Sequence, residues 1–138
     1  MDKKFFIQWA VVFVAWFVGS FVVHGVLLHS GYSELQNLFR SEAESQELFH
    51  FMALAHLILS GAFVWIYQRG TNDSPWLGQG LRFGAAIALF GPISTYMIFY
   101  AVQPMPGSFV IMQMIYDGAL TVVLGVLIAF LNRNASSS

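Results

Sequence analysis

The chain has 138 residues, of which 57% are hydrophobic, 17% aromatic and only 9% charged. Soluble domains carry about 25% charged residues, so six basic and seven acidic side chains cannot clothe a water-exposed surface of this size. A net charge of −1 offers no basic patch for nucleic acid. The lack of cysteine removes disulfides, thiolate metal sites and cysteine nucleophiles from consideration.

A membrane span needs roughly 20 predominantly apolar residues. Four runs qualify: Phe5 to Leu28, Phe49 to Tyr67, Phe83 to Val102 and Phe109 to Leu131. Every formal charge lies outside them except Asp117. The predicted fold is all-α, a four-helix transmembrane bundle forming one membrane domain over residues 1–133, with a disordered tail over 134–138. The start, Lys3-Lys4 before an apolar run, has the look of a signal peptide. The run is longer than an h-region of roughly 7–15 residues and lacks a cleavage motif, so it reads as a retained first span.

Lys and Arg set the predicted topology. Lys3, Lys4, Arg69, Arg82 and Arg133 share one side and Arg40 stands alone on the other, so the positive-inside rule places both termini in the cytoplasm. Trp9 is expected at the cytoplasmic interface. In the first outer loop a short interfacial helix is expected, capped by Ser33 with Gln36 in the third position, and with Leu35, Leu38 and Phe39 on one face. A second capping box, Ser41 to Glu44, begins the helix that becomes the second span. Gly70 is the natural stop of that helix. Ser74-Pro75 reads as the cap and first residue of the third, and Arg82 is placed to snorkel back toward the headgroups. Gly91-Pro92 predicts a kink in mid-span, and Gln103 to Gly107 a tight turn. Small residues (Gly84, Ala88 and Gly91 on the third span; Gly118, Gly125 and Ala129 on the fourth) predict close helix packing.

Polar residues recur at matched depth in the outer half of the spans: His24, His56, Thr95, Tyr96, Gln113 and Asp117. Spacing by four puts Ser20 with His24, His56 with Ser60, Gly91 with Thr95, and Gln113, Asp117 and Thr121 on single helical stripes. Facing inward, these stripes form one polar pocket open to the outer leaflet, while the cytoplasmic half reads as apolar and aromatic. An ionisable group in a span is costly and therefore marks function or a buried partnership. Asp117 and His56 are the predicted ionisable pair, with His24, Gln113 and Tyr96 as supporting contacts. His29 and His50 sit at the boundary, where solvation accounts for them. No histidine pair has metal-site spacing. A b-type haem between His24 and His56 is the one cofactor alternative, since both lie on neighbouring spans at similar depth; otherwise no cofactor is expected.

Five segments carry a resemblance: His24 to Leu28, Phe63 to Tyr67, Gln79 to Gly84, Gln103 to Gly107, and Leu131 to Arg133. Through them the chain resembles a group of small four-span bacterial membrane proteins of uncharacterised function. The resemblance implies an inner-membrane location and a compact helical bundle, and supplies no reaction, ligand or catalytic residue. The leading functional expectation is a non-enzymatic membrane protein whose outer pocket handles a proton or a small polar or cationic ligand. Four spans are few for a monomeric transporter, so that reading expects a homo-oligomer. The alternative is an accessory subunit of a membrane complex, with the polar cluster serving as packing glue.

Overall fold

The computed structural model describes residues 1–134; of the expected disordered tail, residues 135–138 lie outside the described residues. Four helices among the described residues are long and apolar enough to cross a membrane: Lys3–Leu27, Phe49–Arg69, Trp76–Val102 and Gly107–Asn132. The chain is therefore compatible with a multi-pass membrane protein.

The first long helix consists of α1 (Lys3–Ser20) and a π-helical continuation, Phe21–Leu27. Asp2 caps its start by accepting from the Phe5 amide. Two short helices cross the first loop, α2 (His29–Glu34) and α3 (Glu42–Glu47). The loop helix thus begins four residues earlier than its expected cap. Ser33 lies inside it, its hydroxyl donating to the Ser30 carbonyl at 2.8 Å. Leu35, Leu38 and Phe39 do pack inward, against Val23, Leu28, Met105, Phe109 and Val110. The capping box at Ser41 and Glu44 is formed in both directions.

Glu44 accepts from the Ser41 amide and hydroxyl, which holds its carboxyl below the usual carboxylate range, with Arg40 adding a smaller push. A depressed folded-state pKa stabilises the helix above the unfolded value and loses that contribution as pH falls through the folded one. Acidification below the ordinary carboxylate range should therefore unlatch the start of α3. Amide exchange at residues 42–45 should accelerate there, and Glu44→Ala should remove the pH dependence.

Second in the membrane set is α4 (Phe49–Arg69), stopped by Gly70, whose amide bonds the Ile66 and Tyr67 carbonyls. The third long helix comprises α5 (Trp76–Ala88), a π-helical turn Leu89–Ile93 containing Pro92, and α6 (Ser94–Val102). The interruption expected at Gly91-Pro92 takes the form of that wider turn, because proline supplies no amide to the α-helical ladder. Pro75 caps α5 rather than opening it, and Arg82 reaches back to the Ser74 hydroxyl at 2.9 Å. The last helix is α7 (Gly107–Asn132).

Packing is most extensive between α5 and α7. A Cβ built on Gly80 would lie 2.7 Å from the Gly125 carbonyl oxygen, and one on Gly84 would lie 2.6 Å from Val122 Cα. The two backbones touch, the close approach that small residues permit in lipid. Gly125 and Ala129 take part as expected, and Gly80 joins them. Gly91 does not, having nothing within 4 Å of its would-be Cβ. Trp9 has a packing role as well. Its indole N–H donates to the Leu57 carbonyl at 2.9 Å and its ring covers Gly61, so it joins α1 to α4. The four helices close at the terminus-bearing end through Phe63 and Tyr67 of α4 against Phe83 of α5, with ring centroids 4.7 and 5.2 Å apart.

That end is less apolar than expected. Gln68 donates to Gln8 at 2.7 Å, and Gln8, Gln79 and Asn132 are all buried. Gln79 holds the connection ahead of α5, accepting from the Asn72 amide and donating to the Asn72 carbonyl at 2.7 Å. These amides were overlooked because glutamine near a span end reads as ordinary headgroup polarity.

Candidate functional site

Asp117 lies on the inner face of α7, buried, three turns from the start of the helix. Its carboxylate accepts from the Tyr96 hydroxyl of α6. His24, in the π-helical end of the first span, sets Nε2 at 3.0 Å from Oδ2 and 3.2 Å from Oδ1. On the far side of the ring, His24 Nδ1 lies 2.7 Å from the Tyr32 hydroxyl of α2. Gln113, one turn along α7, donates to that same hydroxyl at 3.1 Å. Thr121 returns its hydroxyl proton to the Asp117 backbone carbonyl at 2.7 Å. The first, third and fourth long helices and the loop helix thus meet in one hydrogen-bonded set: Tyr96, Asp117, His24, Tyr32 and Gln113.

His56 is not a member. Its Nε2 lies 2.9 Å from the Ser20 hydroxyl and its Nδ1 bonds the Met52 carbonyl at 2.8 Å, with the ring edge-on to Phe17. Asp117 is paired with His24 in its place. The π turn supplies the physical reason. The stripe Ser20–His24 assumes α-helical phase, but from Phe21 onward each backbone bond spans five residues instead of four. The angular step per residue then shrinks and four residues fall short of a full turn instead of passing it, so Ser20 faces α4 while His24 faces α7. Thr95 is exposed, and its neighbour Tyr96 is the residue that turns toward α7.

Tyr32 is a member that sequence reading missed. Nothing in its local spacing marks it, because it is brought in by the docking of α2 on α7. Its ring stands edge-on to Phe39 and Phe109, at centroid distances of 4.9 and 5.1 Å. Gly31 lies directly under the Phe109 ring, where any side chain would collide. Burial pushes the Tyr32 hydroxyl pKa up, the hydrogen bond from Gln113 opposes this, and the Asp117 charge adds to the rise. The group is held protonated and uncharged.

Two clefts in the bundle are lined by none of the five residues of the set. One of about 330 Å³ sits at the terminus-bearing end beside Asp2, Lys4, Gln79 and Asn132. Another, of about 230 Å³, lies between α2 and the start of α7 beside Gly31, Glu34, Pro106 and Phe109. Haem between His24 and His56 would have to displace bonds that both rings already make. Both ring nitrogens of His24 and of His56 already hold hydrogen bonds, and the two rings serve different helix pairs. Among the described residues no three of His, Cys, Asp and Glu gather as a metal site.

Chemically, the arrangement is a buried carboxylate joined through an imidazole to a hydroxyl at the loop end. With Asp117 ionised and His24 neutral, Nε2–H donates to the carboxylate and Nδ1 accepts from Tyr32. With Asp117 protonated, every bond in that row can reverse. No protein-family model, curated protein or solved structure matches the chain.

Proposed function

We propose that this is a multi-pass protein of a bacterial inner membrane, with both termini in the cytoplasm, in which the Asp117–His24 pair takes up and releases a proton from the outer side. The observation that carries the reading is the bridged carboxylate, shared between the Tyr96 hydroxyl and the His24 ring. A carboxyl within a span costs several kcal/mol unless it is paired, and helix packing alone is served as well by a neutral amide. An imidazole beside it adds a second group able to accept and pass on a proton. The proposed topology rests on Lys3, Lys4, Arg69, Arg82 and Arg133 at one end and Arg40 at the other.

The accessory-subunit reading has its own support. Nearly every polar atom of the set is satisfied internally, which is what packing glue requires. One experiment separates the two. In protein reconstituted in lipid, the infrared C=O stretch of a protonated carboxyl should rise and fall as external pH is stepped, and Asp117→Asn should abolish it. A carboxyl signal indifferent to pH between about 4 and 9, a range of about two and a half units either side of an imidazole's usual value, would leave only glue.

A further inference from the structure

One atom in the set has no partner. Among the described residues the Gln113 side-chain oxygen is the single buried polar side-chain atom without a hydrogen bond, in a residue only 2% exposed. We propose that this oxygen holds a bound water molecule, and that the water and Tyr32 form the path by which protons travel between the outer solvent and the His24–Asp117 pair. The inference rests on the proton-exchange reading above and gives it a route.

The chemistry of the row selects water over other occupants. Leaving a buried carbonyl oxygen unpaired costs about 1–3 kcal/mol, and in protein interiors bound water is the usual remedy. While Asp117 is ionised, Tyr32 donates to His24 Nδ1, Gln113 Nε2–H donates to the Tyr32 oxygen, and Gln113 Oε1 needs a donor. Once Asp117 is protonated, it donates to Nε2, Nδ1–H donates to Tyr32, and the Tyr32 proton must point to an acceptor. Gln113 supplies one by turning its carboxamide over, which leaves its NH₂ in the former place of the oxygen. The neighbour there must then accept. Water both donates and accepts, so it fits either state. An ammonium can only donate and a carboxylate can only accept, so each fits one state alone.

Position supports the direction. Gln113 stands one turn from Asp117 toward the start of α7, about 6 Å closer to the loop end, and Tyr32 is carried by the loop helix itself. The titratable groups around the row are Asp117, His24, Tyr32 and Tyr96, drawn from every element that packs on it, with no basic side chain bonded to the set among the described residues. In transfer, the water on Gln113 Oε1 takes a proton from the outer solvent as it gives one to the neighbouring Tyr32 oxygen, and Tyr32 gives its own proton to His24 Nδ1. His24 passes Nε2–H to Asp117, so each group ends neutral and one proton has moved inward. Burial keeps the tyrosine protonated at rest, so it acts by handing a proton on and receiving another rather than as a standing tyrosinate.

The test is the rate of deuterium exchange at the Asp117 carboxyl band after a jump into D₂O, with the protein in lipid. Tyr32→Phe keeps the ring against Phe39 and Phe109 and deletes only the hydroxyl. It should slow exchange about a hundredfold, the scale of a lost proton-transfer group, while the band still titrates. Gln113→Leu should slow exchange comparably and erase a water O–H difference signal present in the unmodified protein. A titrating band that exchanges at the unmodified rate in either variant overturns the path and leaves the parent reading standing. A band that does not titrate in the unmodified protein removes both.

Discussion

Replacing Gly125 by alanine is expected to destabilise the bundle by about 2 kcal/mol, the difference between two opposed effects. Alanine is favoured over glycine in a helix by about 1 kcal/mol. Against this, its Cβ would sit 2.5 Å from the Gly80 carbonyl oxygen, 2.6 Å from Gly84 Cα and 2.7 Å from Gly84 N. All three are backbone atoms of α5, so no rotamer change relieves the collision and the helices must separate. Overpacking of this kind costs about 3 kcal/mol. Separation also forfeits the dispersion contacts that hold helices together where no hydrophobic force acts between them. Gly91→Ala is the matched control. Its Cβ meets nothing within 4 Å, so the change should leave stability unaltered or raise it by up to about 1 kcal/mol. Titration of each variant with SDS in mixed micelles, followed by near-UV circular dichroism, gives the comparison. Equal midpoints for the two variants would mean that the α5–α7 contact is not the tight one described.

The same contact shows what the chain makes legible before any coordinates. Spans, turns and caps follow from local chemistry: apolar length, Pro and Gly punctuation, and a Ser with Glu three residues on. Gly84, Gly125 and Ala129 were readable for the same reason, since a glycine–alanine face has few other uses in lipid, whereas Gly91 packs on nothing. The hydrogen-bonded set was readable in four of its five members, with His56 counted in and Tyr32 left out. Asp117, His24, Gln113 and Tyr96 were identified because polar groups are scarce in spans, and depth counted from span ends brings them level. The partner of Asp117 was misread because phase was carried straight through Phe21, where the backbone changes its hydrogen-bond step. No residue in Phe21–Leu27 announces a π turn as proline does at Pro92. Tyr32 was illegible for a different reason: its role depends on how α2 folds back, a contact between residues 81 positions apart.

Asp117→Ala is expected to cost about 2 kcal/mol, since it strands the Tyr96 hydroxyl and the His24 N–H, each buried to some degree, without their acceptor. Asp117→Asn should cost under about 1 kcal/mol, because an amide oxygen still accepts from Tyr96 while its NH₂ can serve a reoriented imidazole. The sharper measurement is a pair of double-mutant cycles. Asp117 and His24 touch, so their alanine variants should couple by about 1 kcal/mol. Asp117 and His56 serve different helix pairs and should couple by less than about 0.5 kcal/mol, although simple helical phase would make them partners. His56→Ala carries its own cost, from the Ser20 hydroxyl and the Phe17 ring edge, and that cost should simply add to the Asp117 effect. Coupling to His56 that matched or exceeded coupling to His24 would mean that the first span continues as an ordinary α-helix past Ser20. His24 would then turn with Ser20 toward α4, and the row that links Asp117 to Tyr32 would lose its middle member.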